Sequence, residues 1–313
     1  MKKMKNSSHI EGKLYQHTLE LKVTGENSKN PGTEFISGNI EIATDNDCIN
    51  IVPVHFTYVT AITSKGKAND TFNVLKNIID KVYKSVMEHG EENATMFRID
   101  SAIGLNEFYT DRNGKEELVS AKRNEGGFVH VTNALEEKEN LRNTFDCDIV
   151  ITNVRHVEAD DEKKTPEKAI VKGAIFDFRN SLLPVEFSVL HPKAIAYFED
   201  LGATTRTPVF TRVKGQQISE SIVRTVTEES AFGEPSVREY KSTRKDFVIT
   251  WAAKDEYAWD DEETILASEL AEASANREVA LAELKKRSDE YKASKGSKSF
   301  TTVEAPAAGD FNF

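Results

Sequence analysis

The sequence contains few cysteines and no long apolar segment. Cys48 and Cys147 are its two cysteines, and neither has a CxxC partner. Their spacing argues against a disulfide scaffold or a zinc ribbon and predicts a reducing compartment. No apolar run approaches the ~18 residues of a transmembrane helix, and the basic segment MKKMKNSSHIEGK lacks the apolar core of a secretory signal. We therefore expect a cytoplasmic protein with no membrane partner.

The common catalytic and cofactor-binding motifs are also missing. The segment 64–68 lacks the upstream glycine and the hydroxyl residue of a phosphate loop, and the chain has no HExxH, GxSxG or Rossmann glycine pattern. The histidines are scattered, and Asp45-Asn46-Asp47 is more typical of a hairpin turn than of a cation site. The sequence thus predicts no catalytic residue, cofactor or metal site, with an enzyme built from dispersed residues as an alternative.

An excess of positive charge is absent from the chain as a whole. There are 41 Lys and Arg against 52 Asp and Glu, a net charge of −11. Residues 255–313 account for −7 of this charge, with 7 basic and 14 acidic residues. The preceding residues are nearly balanced, so they are able to present a positive face to a polyanion. The acidic total therefore does not exclude nucleic acid.

An internal repeat is present. Residues 38–59 read GNIEIATDNDCINIVPVHFTYV, and residues 173–189 read GAIFDFRNSLLPVEFSV. Both copies contain G-x-I, a turn-rich stretch and P-V-x-F, which is a pattern of two strands joined by a hairpin. Strand alternation predicts two rows of core-facing residues, which are Val54, Phe56 and Tyr58 in the first copy and Val185, Phe187 and Val189 in the second.

Each copy is followed by a helical pattern and two more strands. The first helix is predicted over Asn69–His89, with Asn69 as its cap and Gly90 as its stop. The second begins at Pro192 and ends at Gly202. One strand also precedes each glycine, so both halves read strand, strand, strand, helix, strand, strand. That is the element order of an OB-fold, a small Greek-key barrel.

We therefore predict a mainly β (α+β) fold with two OB-fold-like five-stranded barrels in tandem, followed by a C-terminal helix and a flexible tail. The predicted domains are 9–145 and 146–257, with the helix over 258–292 and the tail over 293–313. The helix carries a thin apolar stripe, which suits packing along a barrel or weak self-association. The stripe consists of Leu266, Leu270, Ala273, Ala280 and Leu284.

An OB barrel binds single strands by stacking bases on aromatic side chains in a cationic groove. Phe176 and Phe178 are predicted to share an outward strand face beside Arg179, with burial under the C-terminal helix as the alternative. Phe210, Arg212 and Lys214 are predicted to share one side of a later strand. The other candidates are Phe35, Lys65, Lys67, Arg98, Tyr109, Arg112, Lys122 and Arg123 in the first half, and Arg206, Arg224, Arg244 and Lys245 in the second.

The chain ends in an acidic and aromatic tip after a small, polar linker. The tip is formed by Asp310, Phe311 and Phe313. We interpret it as a peptide that docks into a pocket of a partner protein, with a frayed end as the alternative.

With the tandem G-x-I and P-V-x-F motifs over about residues 9–255 and the Asp310–Phe313 tip, the chain resembles single-stranded DNA-binding proteins, especially those of bacteriophages. The resemblance implies a non-enzymatic protein that coats single-stranded DNA during replication, recombination and repair, with RNA left open as a ligand. It also implies that the tail recruits replication and recombination proteins, in the host cytoplasm if a bacteriophage encodes the chain. The alternative from another class is a structural or adaptor protein whose barrels bind polypeptide.

Overall fold

The computed structural model describes residues 4–26, 28–112, 115–160, 165–228, 232, 236–254, 257 and 265–296, without the side chains of 220–228, 236–244 and 294–296. Within these residues, eleven β-strands form one hydrogen-bonded sheet, and a long α-helix follows the last strand. The prediction of a mainly β fold with a C-terminal helix is confirmed. Across the described part of the chain, every helix is too short or too polar to cross a membrane.

The first half of the sheet closes on itself as a ring of five strands. Its strands are β1 (Asn6–His17), β3 (Glu34–Ala43), β4 (Ile51–Thr60), β5 (Met96–Arg112) and β6 (Lys115–Thr132), with the short β2 (Glu20–Val23) beside β3. β1 pairs with β3 and β5, β3 with β4, and β5 with β6, all antiparallel. The parallel pairs Val54–Asn124 and His55–Glu125 join β4 to β6 and close the ring.

The second half of the sheet repeats this arrangement. Its strands are β7 (Asn143–Val157), β8 (Lys168–Phe176), β9 (Leu182–Val189), β10 (Val209–Glu228) and β11 (Ser236–Ala252). β7 pairs with β8 and β10, β8 with β9, and β10 with β11, all antiparallel. The parallel pair Val248–Ser188 joins β11 to β9. In both rings the strands are adjacent in the order first, second, third, fifth, fourth and first again.

The glycine of each sequence repeat lies where the second strand of a ring passes very close to the first. A Cβ atom at Gly38 would lie 2.3 Å from the carbonyl oxygen of Thr18, and one at Gly173 would lie 2.4 Å from that of Val150. A side chain is therefore excluded at both positions. Other residues of the repeat supply the cores of the rings. The buried ones include Ile40, Ile42, Val52, Val54, Phe56, Ile175, Val185, Phe187 and Val189.

Tyr58 departs from the predicted core row because β4 contains a β-bulge. The pairs Gly38–Phe56 and Ile36–Val59 leave two residues of β4 opposite one residue of β3. The extra residue reverses the in–out alternation of the strand. Val59 then packs against the core of the first ring, and Tyr58 is 48% exposed. The prediction that Tyr58 belongs to the core is therefore wrong.

Helices connect the third strand of each ring to the fourth. They are α1 (Asp70–Ile79) and α2 (Val86–His89) in the first ring, and α3 (Pro192–Asp200) in the second, where Gly202 has a left-handed φ of +58° as expected after a helix. The prediction of one helix over Asn69–His89 is wrong. Lys81 has a φ of +60° and turns the chain, so that Tyr83 packs edge-on against Phe97 with 5.5 Å between the ring centroids.

A third apolar core lies between the sheet and the C-terminal helix, α4 (Ala267–Gly296). Ala273 of α4 and Ile265 just before it pack in this core with Met4. Further along α4, Arg277 forms a largely buried ion pair with Glu107 of β5, with 2.6 Å between nitrogen and oxygen. Of the two roles predicted for the apolar stripe of this helix, packing along the strands is the one observed.

The two rings are joined by backbone pairing and by buried polar side chains. β1 pairs with β7 over residues 6–10. Ser8 of β1 donates a hydrogen bond to Asn124 of β6 at 2.8 Å, and both side chains bond to Gln217 of β10. The boundary between the rings is therefore continuous sheet with hydrogen-bonded polar side chains in its interior.

Candidate nucleic-acid interface

A groove lies between β4 of the first ring and the turn that joins β8 to β9 in the second ring. Its volume is about 520 Å³, and its lining includes Tyr58, Phe178 and Arg179 together with Glu125 and Asp177. We refer to it as the aromatic groove. Because both rings contribute to it, neither copy of the repeat contains it alone.

Tyr58 forms one wall of the aromatic groove, and Phe35 supports it. Their ring centroids lie 4.6 Å apart, with the ring planes tilted by 37°. The bulge in β4 turns Tyr58 to the outer side of the sheet, where Phe35 lies opposite Thr60 on the neighbouring strand. Phe35 is half-buried, whereas Tyr58 remains half-exposed. The outward direction predicted for Phe35 is observed, with Tyr58 as its neighbour.

Phe178 and Arg179 are presented on the other wall by a tight turn. The Asp177 carboxylate accepts hydrogen bonds from the backbone amides of Arg179 and Ser181, each at 2.8 Å. Asn180 has a left-handed φ of +61°, a conformation that asparagine tolerates. Phe178 is 73% exposed, and the Arg179 guanidinium lies 5.0 Å from the centroid of its ring. The turn thus holds an aromatic face and a cation side by side in solvent.

The positive charge of the groove comes mainly from Arg179. Arg123 donates a hydrogen bond from Nε to Glu125 at 2.6 Å, so its charge is largely compensated there. Burial, together with the nearby Arg123, lowers the pKa of His55, whose Nδ1 lies 2.8 Å from Oδ1 of Asn39. The imidazole is therefore neutral at pH 7 and adds no charge to the groove.

Further cations lie on the chain segments next to the Phe35–Tyr58 pair. Lys65 and Lys67 are exposed in the loop that follows Thr60, the last residue of β4. Lys22 of β2 pairs with Phe35, and its ammonium group lies 3.0 Å from the carboxylate of Glu20. The two loop lysines are therefore surface cations, and they are not among the residues that line the aromatic groove.

Two predicted stacking residues are buried. Phe176 is 0% exposed and Phe210 is 1% exposed, since both lie in the core under α4 with Ile265 and Ala273. The prediction that Phe176 and Phe210 face a strand of nucleic acid is wrong. The alternative given for Phe176, burial under the C-terminal helix, is the one observed.

Three predicted phosphate contacts have partners within the protein. Arg212 forms two hydrogen bonds with the carboxylate of Asp146, at 2.7 and 2.6 Å. The ammonium group of Lys214 lies 4.9 Å from the ring centroid of Trp251. Lys122 extends toward the core of the second ring, and burial lowers its pKa to about 8. Lys122 is thus half-buried with its ammonium group over the Phe187 and Phe247 rings, and none of the three residues lines the aromatic groove.

The remaining predicted residues are spread over the surface. Arg98, Arg112, Arg206 and Lys245 are exposed and Tyr109 is half-buried, and none of these five lines the aromatic groove. The side chains of Arg224 and Arg244, and the tail residues Asp310, Phe311 and Phe313, lie outside the described residues. Tyr58 is the groove residue that the sequence interpretation missed, because a bulge leaves no signal in local alternation.

The part of the chain that the structure describes contains no group of three His, Cys, Asp or Glu side chains placed to hold a metal ion. Its two cysteines are both unpaired, and burial raises the pKa of the Cys147 thiol. The aromatic groove offers stacking through Tyr58 and Phe178, and cation–π contact and ion pairing through Arg179.

The comparisons with known proteins give one family and one named structural neighbour. The family model described as YorF matches residues 5–287. No curated protein matches the sequence. Similar solved structures include the crystal structure of the wild-type single-stranded DNA binding protein from Thermus aquaticus, at 8% sequence identity and a TM-score of 0.42. That match covers 82% of this chain and 95% of the other.

Proposed function

We propose that the chain, which belongs to the YorF family, is a non-enzymatic protein that binds single-stranded DNA without sequence preference. The observation that carries this proposal is the aromatic groove, where Tyr58 and Phe178 from different rings present exposed faces beside Arg179. Every base has a face that stacks on an aromatic ring, and a guanidinium binds phosphate. A duplex keeps its bases inside, so the ligand is a strand with unpaired bases.

The strand order supports a finer assignment of the fold. The order first, second, third, fifth, fourth and first, with a helix between the third and fourth strands, is that of an OB-fold. We therefore assign the two rings as tandem OB barrels. OB-folds bind oligonucleotides on the face of their second and third strands. In the first ring these strands are β3 and β4, which carry Phe35 and Tyr58.

The proposed mode of binding follows the groove from one ring to the other. One base stacks on Tyr58 and another on Phe178, each contributing about 1–3 kcal/mol. Arg179 binds a phosphate beside Phe178, and Lys65 and Lys67 bind phosphates beyond Tyr58. Since cations on the protein release counterions from the strand, affinity should fall as salt rises.

The biological role that fits such binding is coating of single strands during DNA replication, recombination or repair in the cytoplasm. The acidic and aromatic tip formed by Asp310, Phe311 and Phe313 suits recruitment of partner proteins. RNA remains the alternative ligand, since stacking on Tyr58 and Phe178 does not distinguish the two sugars.

Binding of labelled oligo-dT, measured by fluorescence anisotropy at two salt concentrations, tests the proposal. Phe178→Ala should lower the affinity about 5- to 150-fold, which corresponds to one lost stacking contact. Phe128→Ala is the matched control, because Phe128 is also highly exposed but does not line the groove. The affinity of the Phe128→Ala variant for oligo-dT should equal that of the unmodified protein.

Two results would overturn the proposal. One is the absence of oligo-dT binding, or equal affinity for a duplex of the same length. The other is an equal loss of affinity for Phe178→Ala and Phe128→Ala, which would place the binding surface elsewhere. Oligo-rU in the same assay decides whether RNA is bound as well.

A further inference from the structure

A second groove, separate from the aromatic groove, lies between α3 and the end of β11. Its volume is about 610 Å³, and the two grooves share no residue. Ala194 and Tyr197 of α3 form one wall, and residues 248–254 form the other. Trp251 is 47% exposed in this groove. The lining is therefore mostly apolar, with one large aromatic side chain open to a ligand.

The wall formed by β11 includes a strand edge that β9 does not cover. Among the described residues, β11 pairs with β9 only at Val248–Ser188. β9 ends at Val189, and the chain turns away into α3 at Pro192. The stretch of β11 from Ile249 to Ala252 thus pairs with β10 on one side and faces α3 across the groove on the other. Such an edge accepts another extended chain by backbone hydrogen bonding.

The charge of the groove indicates which kind of extended chain it would bind. Lys193 in the first turn of α3 and Lys254 after β11 are its charged lining residues, and both are exposed. No carboxylate belongs to the described lining. The ammonium group of Lys214 lies over the ring of Trp251 and adds positive charge at the same place. A ligand that matches this surface carries acidic groups next to apolar ones.

We propose that this groove binds an extended polypeptide segment of a partner protein, in which acidic and apolar side chains alternate. The segment adds to the free edge of β11, one row of apolar side chains packs against Tyr197 and Trp251, and the acidic residues pair with Lys193 and Lys254. A nucleic-acid strand is less suited to this site. Its bases need a series of exposed aromatic faces. This groove offers Trp251, whose ring is already in contact with Lys214, and the partly buried Tyr197.

The test uses the full chain and a fluorescein-labelled peptide that alternates Asp with Leu, compared with one that alternates Lys with Leu. Fluorescence anisotropy should show binding of the acidic peptide in preference to the basic one. Ala194→Arg fills the groove and should weaken acidic-peptide binding by at least about tenfold. Ala196→Arg is the matched control, because Ala196 is exposed on the same helix but does not line the groove.

A charge reversal keeps the proposal testable if Ala194→Arg fails to fold. The double variant Lys193→Glu and Lys254→Glu changes surface residues only, and it should reverse the preference so that the basic peptide binds better. The proposal is overturned if neither peptide binds, if both bind equally, or if Ala196→Arg is as harmful as Ala194→Arg. It is also overturned if oligo-dT displaces the peptide and Ala194→Arg weakens oligo-dT binding, since the groove would then bind nucleic acid.

Discussion

Asn124 and Gln217 form a reciprocal amide pair across the boundary between the two rings. Nδ2 of Asn124 donates to Oε1 of Gln217 at 2.7 Å, and Nε2 of Gln217 donates to Oδ1 of Asn124 at 3.0 Å. Both side chains are buried, and Ser8 bonds to each of them. Because each amide satisfies the other, this pair stabilises the boundary between the rings together with the pairing of β1 and β7.

Asn124→Ala should lower the free energy of unfolding by about 1–3 kcal/mol, because it leaves the buried amide of Gln217 without its partner. Urea denaturation measures the change, and Asn106→Ala on the exposed part of β5 is the control. In a double-mutant cycle with Gln217→Ala, the coupling energy should be about 0.5–3 kcal/mol. Strictly additive losses would show that the two amides do not stabilise one another.

Lys122 should make stability depend on alkaline pH. Burial lowers its pKa to about 8 in the folded chain, from an ordinary value of 10.5. Between these values the unfolded chain binds more protons than the folded chain, so the free energy of unfolding rises with pH over this range. Below pH 8 both states carry the proton, and the full penalty of the buried charge is present.

Relative to Lys122→Met, the unmodified protein should therefore gain stability from pH 8 to pH 10.5, by about 1–3 kcal/mol. Denaturation at a series of pH values provides the comparison. Contacts of the Lys122 side chain that do not depend on its charge shift the two curves by a constant amount. The cation–π contacts with Phe187 and Phe247 require the protonated amine, so they belong to the pH-dependent part of the difference. Curves that run parallel throughout this range would contradict the prediction.

Phe35 and Tyr58 should act as a unit in binding oligo-dT. Tyr58→Ala removes the stacking face, and Phe35→Ala removes the ring that supports it at 4.6 Å. The double variant should lose less binding free energy than the sum of the two single losses, since the function of Phe35 depends on Tyr58. Anisotropy titrations of the four proteins provide the measurement. Full additivity would mean that Phe35 contacts the strand independently.

The ion pair between Arg277 and Glu107 should hold α4 against β5. Arg277→Met leaves a largely buried carboxylate unpaired and should lower the free energy of unfolding by about 2–4 kcal/mol. Adding Glu107→Leu removes that carboxylate and should restore most of the loss. Hydrogen exchange of α4 should follow the same order. Equal stability of all three proteins would show that apolar packing alone holds the helix.

Deletion of residues 299–313 should leave the affinity for oligo-dT unchanged or slightly higher. The deleted segment carries Glu304 and Asp310 and no basic residue, so it repels phosphates and competes with them for cations. The salt dependence of binding is the most sensitive measurement. Weaker binding after the deletion would show that this segment is part of the nucleic-acid site.

The order of elements was predictable because its signals are local. Gly38 and Gly173 mark close strand crossings, and the P-V-x-F segments alternate between core and surface. The helix predicted over Asn69–His89 shows the limit of such signals. Its apolar periodicity continues past Lys81, but the chain turns there because packing of Tyr83 on Phe97 overrides helix propensity.

The candidate site was only partly predictable. Phe178, Arg179 and Phe35 were identified as outward-facing residues, and the structure places them at or beside the aromatic groove. Phe176 satisfied the same pattern, but α4 covers it. Strand alternation predicts on which side of a strand a side chain lies. It does not predict whether another element, such as α4, covers that side.

The sequence by itself determined the repeat, the order of strands and helices along each half and the acidic character of the last residues, since each depends on neighbours along the chain. Only the tertiary structure decided which side chains meet. Asn124 and Gln217 are 93 residues apart in the chain and pair through folding alone. Tyr58 is exposed because the pairing of β4 with β3 contains a bulge. Tyr58 and Phe178 line the same groove because the two rings are joined side by side.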